Sequence, residues 1–213
     1  MIRELDPVET RVLGSLLEKQ QTTPESYPLT LNSLLLACNQ KTSREPVTDY
    51  AEQEIEAALA RLQQDKLVWK VTGGRAARWD HNLEGVLGVS RASRAILTVL
   101  FLRGPQTIAE LRTRTERLHE FESPDEIEET LRVLASREEP FVRHLERQTG
   151  QKETRWAHLL SGEPVYTPAP VSERAPRGQS SAGSVLEERI TELENTVAEL
   201  RAEVESLKRL IAG

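Results

Sequence analysis

Two histidines stand where chemistry could be done. His81 follows Asp80 in the stretch "RWDHNL" (78–83), and an imidazole beside a carboxylate is a common general-base pair. The signature returns as "RWAHLL" at 155–160, with Trp, His and Leu at alternate positions: 79, 81 and 83, then 156, 158 and 160. The second copy carries Ala157 where the first has Asp80. A catalytic pair would need its acid, whereas a repeated strand end would not. Adjacent residues of a strand also point to opposite faces, so Asp80 and His81 would not meet. The four histidines and the single Cys38 are too scattered for a zinc site. The chain has no nucleophile elbow, phosphate-binding glycine loop or H-E-x-x-H motif. The expectation is a non-enzymatic protein without catalytic residue, metal or cofactor, whose two histidines serve packing or hydrogen bonding.

The elements that must position these residues also occur twice. "TGGRAARWDHNL" (72–83) aligns without a gap to "TGQKETRWAHLL" (149–160), and "EIEAALARL" (54–62) matches "EIEETLRVL" (126–134). "TLNSL" (30–34) matches "TIAEL" (107–111), and "RVLGSLL" (11–17) is a looser match to "RAILTVL" (94–100). The order is the same in both halves, the mark of a duplicated module. Each module reads as three helices and a hairpin. In the first, Asp6, Pro7 and Glu9 supply the N-cap, the N1 proline and the capping-box acid. Val8, Val12, Leu13, Leu16 and Leu17 form the apolar stripe that follows. A second helix is expected over about 31–39 and a third over about 49–65, with Ile55, Leu59 and Leu62 inward. Strands at "LVWKV" and "AARW" then join through a tight turn at Gly73-Gly74, and Trp79, His81 and Leu83 share one strand face. In the second module Ile96, Leu97, Val99 and Leu100 belong to the first helix, Thr107 caps the second, and Ser123 opens the third. The fold class expected is mainly α with small β-hairpins (α+β). It comprises two tandem winged-helix domains, 1–85 and 86–162, whose third helices would enter a major groove and whose hairpins would form wings.

These segments resemble the YceH-like family of uncharacterised bacterial proteins. The resemblance rests on "RVLGSLLEKQQTTPESYPLTLNSLLLACNQKTSREPV", "FLRGPQTIAELRTRTERLHEF" and "QKETRWAHLLSG", and it covers about residues 3–162. It implies a tandem winged-helix fold. It implies no established activity, because the family offers no accepted catalytic or ligand residues to carry over. Trp79 and Trp156 stand where the family leads one to expect tyrosine.

Two stretches are candidates for contact with DNA. In "CNQKTSREP" (38–46), Asn39, Gln40, Lys41, Thr42, Ser43 and Arg44 can all donate to phosphate, and Arg75 and Arg78 of the first hairpin would add charge. In "LRTRTERLHEF" (111–121), Arg114 and Arg117 share a helix face, which Lys152 of the second hairpin would join. Each stretch also has a plainer reading. The first is a solvated loop shaped by Asn, Thr and Ser, and the second a solvated helix with arginines paired to Glu110, Glu116 and Glu120. The third helices weigh against DNA. Asp49, Glu52, Glu54 and Glu56 lead one, and Asp125, Glu126, Glu128 and Glu129 lead the other. Acids there suit the helix dipole but repel phosphate.

Charge agrees with that objection. The net charge is −6, with 10 basic against 13 acidic residues in 1–85, 12 against 12 in 86–162 and 6 against 9 in 163–213. No segment shows the positive footprint usual for a nucleic-acid binder. There is no run of 18 apolar residues, so no membrane partner is expected. The N-terminus "MIRELDPVETRVLG" lacks a signal-peptide core, and one cysteine suits a reducing cytoplasm.

Residues 163–184, with four prolines, two glycines and four serines, read as a flexible linker. Beyond it, Ile190, Val197, Val204 and Ile211 fall at one heptad seam position and Leu186, Leu193, Leu200 and Leu207 at the other. β-branched residues at a and leucine at d favour a parallel two-stranded coil, so 185–213 is expected to form a homodimer. Two functional readings follow. The first is a dimeric DNA-binding protein, a candidate transcriptional regulator with double-stranded DNA as partner. The alternative is a protein-interaction scaffold of paired winged helices.

Overall fold

The capping signals start the helices where the sequence places them. Asp6 Oδ1 accepts from the Glu9 N–H at 2.8 Å, and Glu9 Oε2 accepts from the Asp6 N–H at 2.8 Å. Thr30, Ser90, Thr107 and Ser123 cap four later helices with their side-chain oxygens. The structure, a computed structural model, describes residues 3–74, 76–147 and 151–164. The expectations for Arg75, for the linker beyond 164 and for the seam from Leu186 to Ile211 lie outside these residues.

The described chain is α+β. Its first half runs α1 (Pro7–Thr22), a short 3-10 turn (Pro24–Ser26), β1 (Leu29–Thr30), α2 (Leu31–Cys38), α3 (Glu52–Gln64), β2 (Val68–Val71) and β3 (Arg78–His81). A one-turn connector, α4 (Leu83–Leu87), leads to the second half: α5 (Arg91–Arg103), α6 (Ile108–Thr115), α7 (Pro124–Ala135), β4 (Val142–Leu145) and β5 (Arg155–His158).

The core is organised around α1 and α5. Residues Glu9 to Leu17 of α1 and Ala95 to Leu102 of α5 are buried on every side. A helix buried all round must be enclosed by neighbours. Here α1 packs on α2, α3 and α5, while α5 packs on α1, α6 and α7. The two halves therefore meet helix against helix. Gly14 lies at that contact: a Cβ there would stand 2.8 Å from Leu102 Cδ2 and 3.0 Å from Phe101 Cβ, so any side chain forces Leu102 or α5 to shift. Glu9 is buried beside this core. Burial alone would raise its carboxyl, but hydrogen bonds from Arg3, the Asp6 N–H and Arg61 outweigh it and hold it down at about 2.

The sheets repeat one plan. β3 lies between β1 and β2, with Leu29 and Lys70 both opposite Trp79, and Val68 opposite His81. In the second half β4 pairs with β5, placing Val142 opposite His158 and His144 opposite Trp156. Gln106 forms a single bridge to Trp156, the counterpart of the Leu29–Trp79 pair. Three local expectations are corrected. The first hairpin closes through six residues, 72–77, not through a two-residue Gly-Gly turn, although Gly73 does take a positive φ of 133°. The returning strand starts at Arg78 and ends at His81, so Leu83 leaves the strand face and opens α4. α3 starts at Glu52, three residues later than expected, because Glu54 reaches back to the Ala51 N–H at 2.8 Å and sets the first turn there.

Candidate interaction surfaces

The histidine and the aspartate of the opening motif face different partners. Asp80 accepts a hydrogen bond from the Tyr27 hydroxyl at 2.6 Å, and the same hydroxyl accepts from the His81 N–H at 3.0 Å. The His81 ring lies in the core, where Nδ1 accepts from the Leu83 N–H at 3.3 Å. Its Nε2 must then carry the proton and donate to Gln20 Oε1 at 2.8 Å. Burial pushes the His81 imidazole down to about 4. His158 is likewise driven down to about 4 by burial, its ring set edge-on to Phe101 at 5.0 Å. A neutral, enclosed imidazole anchored on α1 or α5 closes the hairpin onto its own helices.

The arginine that starts each motif is also architectural. Arg78 donates to the Pro28 carbonyl at 2.6 Å and the Ser26 carbonyl at 3.3 Å. Arg155 donates to the Pro105 carbonyl at 2.9 Å and to Glu110 at 2.6 Å. Pro28 and Pro105 precede α2 and α6 at matching places, so each arginine straps the returning strand to the segment that leads into the second helix.

The polar loop after α2 is held from below by two buried arginines. Arg11 on α1 donates to the carbonyls of Cys38 (3.0 Å) and Pro46 (2.7 Å) and to Thr48 Oγ1 (3.0 Å). Arg44 turns inward, with its guanidinium fully covered, and grips Glu18 at 3.1 and 2.6 Å while its Nε donates to the Ala37 carbonyl. This corrects the expectation of Arg44 as a phosphate contact, since a buried, carboxylate-paired guanidinium has no face left for DNA. Asn39 bonds both backbone groups of Tyr50, and Gln40 joins Lys19 and Thr42. Ser43 is half-buried with φ of 59°. Lys41 and Thr42 are left exposed. Burial raises the Cys38 thiol to about 11, so it is chemically quiet.

In the second half Arg114 is half-buried and engaged with Gln106 and, at 4.0 Å, with Glu110. Arg117 and Lys152 are exposed. Of the residues expected to touch DNA, Ser43, Arg114 and Arg117 line one small cleft, and the other cations do not converge with them. Arg44 and Arg78 are committed within the protein, Arg114 is partly so, and Lys41 and Lys152 stand on separate elements.

The third helices turn acids outward. Glu52, Glu54 and Glu56 of α3 and Asp125, Glu128 and Glu129 of α7 are all exposed. A groove of about 660 Å³ runs between α3 and the first hairpin, with Glu52, Glu56 and Ala60 on one wall and Leu31, Lys70 and Trp79 opposite. Lys70 Nζ sits 5.7 Å over the Trp79 ring. Sequence reading found the acids but not the groove, which depends on where the six-residue connection carries the hairpin. No helix of the described residues is long and apolar enough to cross a membrane.

Residues 5–151 match the family described as "Protein of unknown function, DUF480". Among curated relatives, a UPF0502 protein of Cellvibrio japonicus is 50% identical over 205 residues, covering 95% of this chain and 94% of the relative. A UPF0502 protein of Acidovorax sp. is 46% identical over 209 residues (96% and 93%), and one of Chromobacterium violaceum is 45% identical over 212 residues (99% and 93%). With matches of that length and coverage, the chain belongs to the DUF480 family, the UPF0502 proteins of bacteria.

Proposed function

We propose that this chain is a non-enzymatic protein-interaction scaffold: two tandem winged-helix units that hold a cationic segment of another protein, doubled by a parallel coiled coil over 185–213. The single observation behind this reading is the exposed acidic face of α3 beside an apolar groove, at the place where a DNA-reading helix would need cations. The two halves differ there in a telling way. In α7, Arg132 pairs with Glu128 at 3.1 Å and also with Glu129. The residue matching Arg132 in the repeat is Ala60, so Glu56 has no such partner one turn on. A lysine or arginine from outside would complete on α3 what α7 completes for itself, and Trp79 offers a ring for the stem or head of that cation.

The test is capture of partners by tagged full-length protein from bacterial lysate, with nuclease added. The expected result is a nuclease-resistant partner that is lost when Glu52→Lys and Glu56→Lys are combined. A partner that disappears with nuclease, or one indifferent to both substitutions, would overturn the reading. DNA binding is the second reading. It rests on Lys41, Arg117 and Lys152, which are exposed, and it requires the hairpins and loops to carry the contact in place of the third helices.

A further inference from the structure

The end of α1, α5 and α6 enclose a small cleft where three arginines gather. It holds about 80 Å³ and is lined by Arg103, Arg114, Arg117, Glu18 and Ser43, among others. At ~30 Å³ per water this is room for two or three waters, or for one tetrahedral oxyanion in their place. The charge inside is mainly positive, with three arginines against Glu18. Both oxygens of Glu18 are bonded to Arg44, at 3.1 and 2.6 Å, so its charge is largely offset there. Arg114 is only partly occupied, by Gln106 and a 4.0 Å approach to Glu110. Among the described residues, the guanidinium groups of Arg103 and Arg117 have neither a hydrogen-bond nor an ion-pair partner. Arg103 is nonetheless half-buried, and its burial and its neighbours Arg114 and Arg44 disfavour its charge more than Glu45 and Glu18 favour it. Leaving such a cation unpaired is costly in an otherwise acidic chain. Ser43 lines the same cleft and holds φ of 59°, a left-handed conformation rare for a residue with a side chain. Its hydroxyl has no partner among the described residues.

We propose that this cleft binds a phosphate-type oxyanion, the terminal phosphoryl group of a small molecule, between the two halves of the chain. Arg103 and Arg117 supply fork-shaped donors to its oxygens, and Ser43 a hydroxyl. The cleft joins the α1 side to α5 and α6, so a bound anion would brace the contact between the halves. The inference does not depend on the protein-partner reading.

The experiment titrates the full-length protein with inorganic phosphate at constant ionic strength, chloride making up the balance, and follows it by calorimetry and thermal melting. The expected result is saturable binding and a melting point that rises with phosphate. Losing one charge-assisted donor in Arg117→Gln should weaken binding about tenfold. Arg117 is exposed, so this variant keeps its fold, which circular dichroism verifies. Arg112→Gln, an exposed arginine outside the cleft, should bind within twofold of the parent. No saturation up to 50 mM phosphate, or unchanged affinity in Arg117→Gln, would overturn the proposal. Stoichiometric displacement of phosphate by a short DNA duplex would overturn the small-molecule assignment.

Discussion

Acid should loosen this fold through the buried His81 and the half-buried His158, in a pH window that separates them from the carboxylates. In the folded chain His81 and His158 titrate at about 4, against an ordinary value of 6.5. A lowered folded value means that the unfolded chain binds the proton more readily between those limits. The contribution is therefore complete above pH 6.5, declines as pH falls, and is gone below 4. Linkage gives a loss of about 2 kcal/mol per histidine between pH 7 and pH 5. The geometry agrees: Nδ1 of His81 faces the Leu83 N–H, so a second ring proton has nowhere to go without breaking that contact. Glu9 acts in a lower window. Held at about 2 against 4.5, it stabilises above pH 4.5 and gives that up as pH falls toward 2. Urea unfolding followed by tryptophan fluorescence at pH 7 and pH 5 measures the slope. His81→Gln, which keeps an N–H for Gln20, should remove about half of it. A pH dependence identical in parent and His81→Gln, or a His81 ring titrating between 6 and 7 by NMR, would refute the reasoning.

Other substitutions report on single parts of the account. Arg44→Ala should destabilise by about 3–5 kcal/mol in urea, because it strands the Glu18 carboxylate, while Lys41→Ala should stay within about 0.5 kcal/mol. Gly14→Val should cost about 1–3 kcal/mol by overpacking the α1–α5 contact, despite removing a helix glycine; a neutral or stabilised variant would place the two halves further apart than described. On the proposed coil, Leu193→Pro should give a monomer by light scattering where the parent gives a dimer; a dimer in both would show that another interface holds it, and a monomeric parent would refute the coil.

What could be read from the residues, and what could not, divides along physical lines. Helix starts were legible because a cap is local: Asp6 with Glu9, and Thr107 with Glu110, satisfy each other within one turn. The repeat was legible because matching residues keep matching jobs, as Arg78 and Arg155 do on Pro28 and Pro105. Arg44 was not legible. Its partner Glu18 lies 26 residues away on another helix, and a polar loop looks the same whether its arginine points out or in. Arg11 offered the one available hint, a charged residue within the apolar stripe of α1, but its acceptors are loop carbonyls that only folding brings near. The two-residue β1 was too short for any alternation to show, and the Tyr27–Asp80 bond spans 53 residues. The groove and the arginine cleft belong to this same class, since both arise where elements meet.

The central functional claim is that the third-helix faces are built for protein and not for DNA. Fluorescence anisotropy of a labelled random duplex, titrated with full-length protein across a salt series from 50 mM upward, tests it most directly. The account predicts no saturable binding at 50 mM salt up to roughly millimolar protein, weaker than ordinary non-specific binders. Micromolar or tighter affinity, falling log-linearly with salt and weakened by Lys41→Glu or Arg117→Glu, would contradict it and restore DNA as the partner.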